Sequence, residues 1–558
     1  MEKSDVVIIG GVACGCKSAA SLTRRLPDAK ITLFQKEPDL SYGTCGLPYF
    51  ASGDIENLNK LKESASGSIR DAQYFRRAKG FEAQTECEVV EINRAEKFVT
   101  VRNLESGEDF QHGYNKLVIA TGAVPLELPL DIPDSDRIKS FTRPADAINF
   151  RRLAQTGQIG SAVIVGGGFI GCELTETCAG LWGIETTLVE RETQVLPYVL
   201  DCEMAYMVEK TMRENDITLH IGKSVTRIEV QGNAVKITLS DDTEIETDYL
   251  FLSAGVKPAS HLAQTAGLEL GTNGAVKVNE FMQTSDPNIY AGGDVVELKH
   301  QITGKPIYIP MGSLANRHGR IIADHIAGGQ EKFPGVLGAF MVKVFDLNVG
   351  TVGLSETAAN KAGIETEVIW GSFVDKPDYY PEFNPFSLKL IINKADKTIL
   401  GLQAVGKGDV VRRVDVVSAF MQNKAKIDDL LNFEHGYAPP YSEALDPLYH
   451  LASVYKAVKK GFLQSNPGID YGREDVTVLD VREPDEIENK PFKAGNLITI
   501  PLENLRESMG KLDKGKPIIV LCHRGPRSYQ ALHILKNAGF SDLSYVAGGT
   551  SLSLKALA

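Results

Sequence analysis

Short unbroken apolar runs recur along this chain, and two of them stop abruptly at glycine. Val6-Val7-Ile8-Ile9 runs into Gly10-Gly11-Val12-Ala13-Cys14-Gly15 and then the small helical residues Ser18-Ala19-Ala20, while Ala162-Val163-Ile164-Val165 runs into Gly166-Gly167-Gly168-Phe169-Ile170-Gly171. Continuous rather than alternating apolar residues predict strands covered on both faces, as in a parallel sheet under helices. Ile31-Thr32-Leu33-Phe34, Leu117-Val118-Ile119 and Thr186-Thr187-Leu188-Val189 read the same way. Beyond Phe333 the pattern changes to longer strands such as 387–392 mixed with helices such as 415–420. Ile518-Ile519-Val520-Leu521 then starts another strand, loop and helix.

A glycine turn between strand and helix places free amides and the positive end of the helix dipole against a pyrophosphate. The second turn carries a full Gly-x-Gly-x-x-Gly, and the following strand ends in Glu190. A carboxylate there accepts from both ribose hydroxyls and repels a 2′-phosphate, which favours NADH over NADPH. The first turn keeps Gly10, Gly11 and Gly15 but has Val12 at the middle glycine position, and Gln35 stands where the acid is expected. An amide also hydrogen-bonds a ribose, and Glu37 is the alternative. Glu173 has two readings, as a group near the nicotinamide or as an acid favoured by its helix dipole.

Cys45 stands alone in Ser41-Tyr42-Gly43-Thr44-Cys45-Gly46-Leu47-Pro48-Tyr49, with no second cysteine four or five residues on. Such a thiol needs a partner sulfur from outside the protein. The segment resembles the Ser-Phe-x-x-Cys-Gly-x-Pro-Tyr signature of coenzyme A-disulfide reductases, flavoproteins of the pyridine nucleotide-disulfide oxidoreductase family. Residues 284–294, ending Tyr290-Ala291-Gly292-Gly293-Asp294, are similar to the second flavin motif, and Ala120-Thr121-Gly122 to the connector between nucleotide domains. The resemblance implies FAD on Gly10, Gly11, Gly15, Gln35, Thr121, Gly122 and Asp294, and NADH on Gly166, Gly168, Gly171 and Glu190. It also implies a homodimer in which Tyr379 and Tyr437 reach towards the partner's redox cysteine, where a phenol can protonate a leaving thiolate. Coenzyme A enters as a possible substrate or bound ligand, although Lys17, Ser21 and 64–68 depart from the segments that contact it in that family.

Residues 474–558 resemble a rhodanese domain, opening with Val478-Leu479-Asp480-Val481-Arg482-Glu483-Pro484 and reaching Cys522-His523-Arg524-Gly525-Pro526-Arg527-Ser528. A cysteine at a strand end, in a loop of inward amides with Arg524 and Arg527, sits in a cationic nest suited to a persulfide anion. The segment 492–496 and the absence of tryptophan after Gly548-Gly549 depart from the usual pattern.

The expected fold class is α/β: two nested Rossmann-like dinucleotide-binding domains, an α+β dimerisation domain and a C-terminal α/β rhodanese domain. The expected limits are 1–115 with 256–328 for FAD, 145–255 for NADH, 333–450 for dimerisation, 461–473 for a linker and 474–558 for rhodanese. About twelve extended linker residues would reach at most roughly 40 Å.

At 558 residues with 43% hydrophobic and 24% charged residues, the chain is long enough for several cores and ordinary for a globular protein. A net charge of −12 disfavours a nucleic-acid partner, and no run approaches the apolar length of a membrane span. The N-terminus enters its first strand without a signal-peptide pattern, so a cytoplasmic location is expected. The eight cysteines have neither disulfide-framework nor zinc-ligand spacing, so no metal is expected; Cys87, Cys172, Cys178 and Cys202 read as small core residues. The reaction these features imply is NADH-dependent, FAD-mediated reduction of sulfane sulfur or disulfides at Cys45, with coenzyme A persulfide, coenzyme A disulfide or polysulfide as substrate. Cys522 delivers or accepts the outer sulfur. Two alternatives are an NADH oxidase or peroxidase cycling Cys45 through sulfenic acid, and a redox sensor with a rhodanese docking module.

Overall fold

The computed structural model describes residues 1–465 and 471–552. They form two compact units, one of residues 1–191 and 216–336, the other of residues 192–215 and 337 onward.

In the first unit, strand Glu2–Ile9 lies between Ile31–Phe34 and Asp109–Ile119, parallel to both. Strand Ile289–Ala291 returns from far downstream to pair with Leu117, Val118 and Ile119, which makes this sheet the product of two separate chain segments. Val7, Ile8, Leu33 and Leu117 are fully buried, the two-sided burial that their continuous apolar runs require. A second parallel sheet has the order Thr218–Ile221, Glu185–Glu190, Ser161–Val165, Tyr249–Leu252, Ile138–Lys139.

Both sheets feed the same kind of turn. Gly10 has φ +103° and Gly166 φ +110°, the region that a side chain penalises. A Cβ on Gly15 would lie 1.8 Å from the Gly10 carbonyl oxygen, and one on Gly171 would lie 1.8 Å from that of Gly166. Only glycine lets the helix return this close to its own turn.

The second unit contains an antiparallel sheet in the order Ala339–Val344, Leu347–Gly353, Ile399–Gly406, Pro385–Asn393, Thr366–Val374. Helix Val410–Gln422 buries Val410, Val414, Val417 and Met421. The C-terminal module is a parallel sheet in the order Leu463–Ser465, Leu543–Val546, Ile518–Leu521, Thr477–Asp480, Leu497–Thr499.

Two features differ from the expected domain limits. Residues 192–215, inside the stretch expected for NADH, belong to the second unit. The reason is a buried charge cluster: Lys389 is inaccessible, and its Nζ lies 2.9 Å from Asp201, 2.7 Å from Glu356 and 3.5 Å from Glu203. Asp201 also accepts from the Gln403 side chain at 2.7 Å, so helix Cys202–Glu214 is tied to the antiparallel sheet. Residues 461–465, the described start of the expected linker 461–473, are not a free tether either. Leu463–Ser465 is a strand of the last sheet, and the Phe462 ring lies 4.1 Å from His533 and 5.5 Å from Tyr529. Val454, on helix Pro447–Lys459, packs against the same core. Burying these apolar groups outweighs the entropy of a loose connection. Residues 466–470 of that stretch lie outside the described residues.

Candidate active sites

The two turns share a second device. The Gln35 side-chain oxygen accepts from the Gly11 amide at 2.7 Å, and the Glu190 carboxylate accepts from the Gly167 amide at 2.6 Å. Both acceptors are buried at the end of the neighbouring strand, which fixes the turn and leaves the expected ribose-binding residues beside it. A Cβ on Gly168 would meet nothing within 4 Å, so the middle position faces open space where a pyrophosphate fits. Val12 occupies the equivalent position of the first turn. Glu37, the alternative acceptor, lies 3.7 Å from Arg143.

Thr121 donates to the Ala259 carbonyl at 2.7 Å, and Gly122 at φ +74° turns the chain towards the second sheet. Asp294 is partly buried, which raises its carboxyl above the ordinary value, while the Met311 amide at the start of helix Gly312–Ile326 draws it down. The Tyr308 hydroxyl is a buried polar atom with no hydrogen-bond partner among the described residues, and Asp294 adds to the effect of burial in raising it. A partly buried carboxylate near an orphaned hydroxyl and a glycine cradle fits a polyhydroxylated, phosphorylated cofactor such as FAD. Tyr308 carries no motif and was invisible in the sequence.

Cys45 is exposed on the short helical turn Thr44–Gly46, directly before helix Leu47–Ser52. Three donors from elsewhere in the unit pin that helix. Arg151 Nη1 donates to the Phe50 and Ile55 carbonyls at 2.9 and 2.8 Å, Trp182 Nε1 to that of Ala51 at 2.8 Å, and Thr177 Oγ1 to that of Pro48 at 3.3 Å. The Arg151 guanidinium also lies over the Phe50 ring at 4.6 Å. Surrounding protein raises the Cys45 thiol first, and the carboxylates of Glu173 and Asp294 raise it further. Burial lifts Glu173 to about 7, and the Tyr49 hydroxyl donates to it at 3.5 Å. Tyr49 itself is pushed up to about 12, by burial first and by Glu173 next. Glu173 therefore faces the Cys45 region, and its helix dipole does not keep it in the ordinary carboxylate range.

Cys14 and Cys16 are buried small residues on helix Ala13–Arg25; Cys16 Sγ donates to the Gly11 carbonyl at 3.0 Å, and burial raises both thiols to about 12. Cys87, Cys172 and Cys178 are buried. Cys202 is not the core residue its sequence context suggested: it is exposed at the first position of helix Cys202–Glu214, because the adjacent Asp201 is the side chain turned inward to Lys389.

In the second unit Tyr379 and Tyr437 are both exposed, and the neighbouring Tyr437 raises Tyr379 above its ordinary value. Cys522 ends strand Ile518–Leu521 and is buried, and its Sγ accepts from the Gly525 amide at 3.0 Å. Gly525, at φ +124°, is the turn that aims this amide inward before helix Pro526–Asn537. Arg527 is not a free cation of this nest. Its two terminal nitrogens donate to Glu486 at 2.5 and 2.6 Å, and the pair draws Glu486 down to about 2. Glu486 lies on helix Pro484–Asn489, a contact that no local pattern announced. Arg482 is likewise sealed against Asp480, both fully buried.

Comparison with known proteins accords with this geometry. Residues 4–313 match the family described as pyridine nucleotide-disulphide oxidoreductase, 340–449 its dimerisation domain and 470–553 a rhodanese-like domain. A protein named NAD(P)H sulfur oxidoreductase (CoA-dependent) from Pyrococcus furiosus is 33% identical over 82% of this chain and 100% of its own length. The solved structure of an NAD-dependent persulfide reductase from A. fulgidus has 37% identity and a TM-score of 0.93, covering 98% of this chain and 99% of that one. That of reduced Bacillus anthracis CoADR-RHD has 33% identity and a TM-score of 0.89, covering 99% and 98%. With two alike glycine turns, an exposed Cys45 thiol before a pinned helix and a second thiol in an amide nest, the chain belongs to the FAD- and NAD(P)H-dependent pyridine nucleotide-disulphide oxidoreductase family and carries a C-terminal rhodanese-like domain.

Proposed function

We propose that this protein is an NADH-oxidising reductase of sulfane sulfur and disulfides, acting on coenzyme A persulfide, coenzyme A disulfide or polysulfide as a cytoplasmic homodimer. The observation that carries this reading is Cys45, an exposed thiol with no second cysteine nearby in the sequence, on the turn that leads into a pinned helix. Its thiolate attacks one sulfur of the substrate; the substrate S–S bond breaks, a mixed disulfide or persulfide forms on Cys45, and the other sulfur leaves as a thiolate. When bound, NADH and FAD supply the electron pair that cleaves this second S–S bond and restores the thiolate. Glu190 selects NADH by holding the ribose end, and Gly168 leaves room for the pyrophosphate. Tyr379 and Tyr437 are the proton donors to the leaving thiolate across the dimer. Cys522 takes outer sulfur from a donor and passes it to a thiol small enough to reach Cys45.

The test is anaerobic turnover of full-length enzyme with NADH and coenzyme A persulfide, measuring hydrogen sulfide. One sulfide per NADH is expected, and Cys45→Ser should keep NADH-dependent bleaching of the flavin while losing sulfide release. NADH oxidation that requires oxygen and yields no sulfide would overturn the proposal in favour of an oxidase or peroxidase.

A further inference from the structure

The arginines of the Cys522 region are each paired with a carboxylate, and one of those carboxylates comes from outside the rhodanese module. Arg482 is held by Asp480, and Arg527 by Glu486 at 2.5 and 2.6 Å, all within 474–552. Arg524, two residues after Cys522, has its Nη2 3.8 Å from the carboxylate of Asp378, on the exposed loop of the dimerisation sheet that carries Tyr379. Glu443, from the same region, also faces Arg524. Burial, followed by the charges of Lys490 and Arg524, holds His523 below its ordinary value, so it adds no full charge at neutral pH. Packing of Val454 and Phe462 into the rhodanese core keeps the two domains of this unit in this arrangement.

We infer that Asp378 is a specificity-determining residue for the sulfur donor of Cys522, selecting low-charge persulfides over dianionic donors such as thiosulfate. The inference rests on the reading of Cys522 as a sulfur-transfer residue. In the transfer, Cys522–SH and R–S–SH give Cys522–S–SH and R–SH: the donor S–S bond breaks, a new one forms on Cys522, the leaving sulfur takes the proton, and no outside reductant or oxidant is needed. Thiosulfate instead brings two negative charges to the loop and releases sulfite. Coulomb interaction scales with the charge of each partner, so cancelling the Arg524 charge weakens a dianion more than a monoanion or neutral thiol persulfide. Amides such as that of Gly525, which need no free cation, serve both donors alike. A rhodanese module without this neighbouring loop would present Arg524 uncancelled by Asp378.

The test uses full-length wild type, D378N and the double variant D378N/R524A, without NADH, measuring thiocyanate formed from cyanide with thiosulfate or with 2-hydroxyethyl persulfide, at most a monoanion, as donor. Asp378 has an exposed side chain, so its substitution spares the core. In D378N, kcat/KM for thiosulfate should rise about fivefold, the size of one restored charge interaction at a partly exposed site. The persulfide value should change less than twofold, and D378N/R524A should lose the gain. An unchanged donor ratio in D378N, or equal changes for both donors, overturns the role of Asp378 while leaving sulfur transfer at Cys522 standing. Absence of thiocyanate from both donors in the wild type overturns the transfer role itself and the inference with it.

Discussion

Replacing Glu173 with Gln tests the electrostatics of the Cys45 site most directly. Burial lifts the Glu173 carboxyl from 4.5 to about 7. A carboxyl raised in the folded state costs stability once pH exceeds its unfolded value; the cost is absent well below 4.5, grows between 4.5 and 7, and is full above 7. Linkage puts it at about 3 kcal/mol at pH 8 and about 1 kcal/mol at pH 5. Gln carries no charge, is nearly the same size and still accepts from Tyr49, so Glu173→Gln should recover most of that cost. For a unit of this size the melting temperature, read as release of flavin fluorescence from the holoenzyme, should rise by about 4 °C at pH 8 and much less at pH 5. Because Glu173 also raises the Cys45 thiol, the variant should be alkylated faster by iodoacetamide at pH 8, with the difference fading below pH 7. A variant that melts no higher at pH 8, or gains equally at both pH values, would refute the assignment of Glu173 as a desolvated carboxylate acting on Cys45.

Glu190→Ala removes the acceptor of the Gly167 amide and the expected ribose contact, and should lower the NADH-to-NADPH ratio of kcat/KM by about 1 to 2 kcal/mol. Lys389→Ala leaves Asp201, Glu203 and Glu356 without their buried cation and should destabilise the second unit by about 3 to 5 kcal/mol, seen as earlier proteolysis of that unit in urea. Cys522→Ser should spare coenzyme A disulfide reduction and depress NADH turnover with polysulfide; equal polysulfide rates in variant and wild type would make the rhodanese module a bystander in this reaction.

What the sequence determined by itself is local chemistry. A strand followed by Gly10 or Gly166 specifies a strand–turn–helix unit because the glycine, the amides and the helix end lie within a few residues of one another. Cys45 before Leu47–Ser52 and Cys522 before Pro526–Asn537 were placed at the starts of helices for the same reason, although their roles rest on the proposal above. Tertiary structure alone decided whatever depends on side chains brought together across the chain. The sequence does not say that Arg151, Thr177 and Trp182 hold the Cys45 helix, or that Tyr308 lies by Asp294. Nor does it say that Asp201 draws 192–215 out of the dinucleotide domain, because the cation that buries it, Lys389, arrives on a strand of another sheet. The Cys522 loop shows the same division: its amides follow from a glycine at positive φ, whereas the partners of its arginines, Glu486 and Asp378, come from distant segments. Periodicity records which faces are buried; the partner of each buried or steering charge is a long-range pairing that only the packed chain selects.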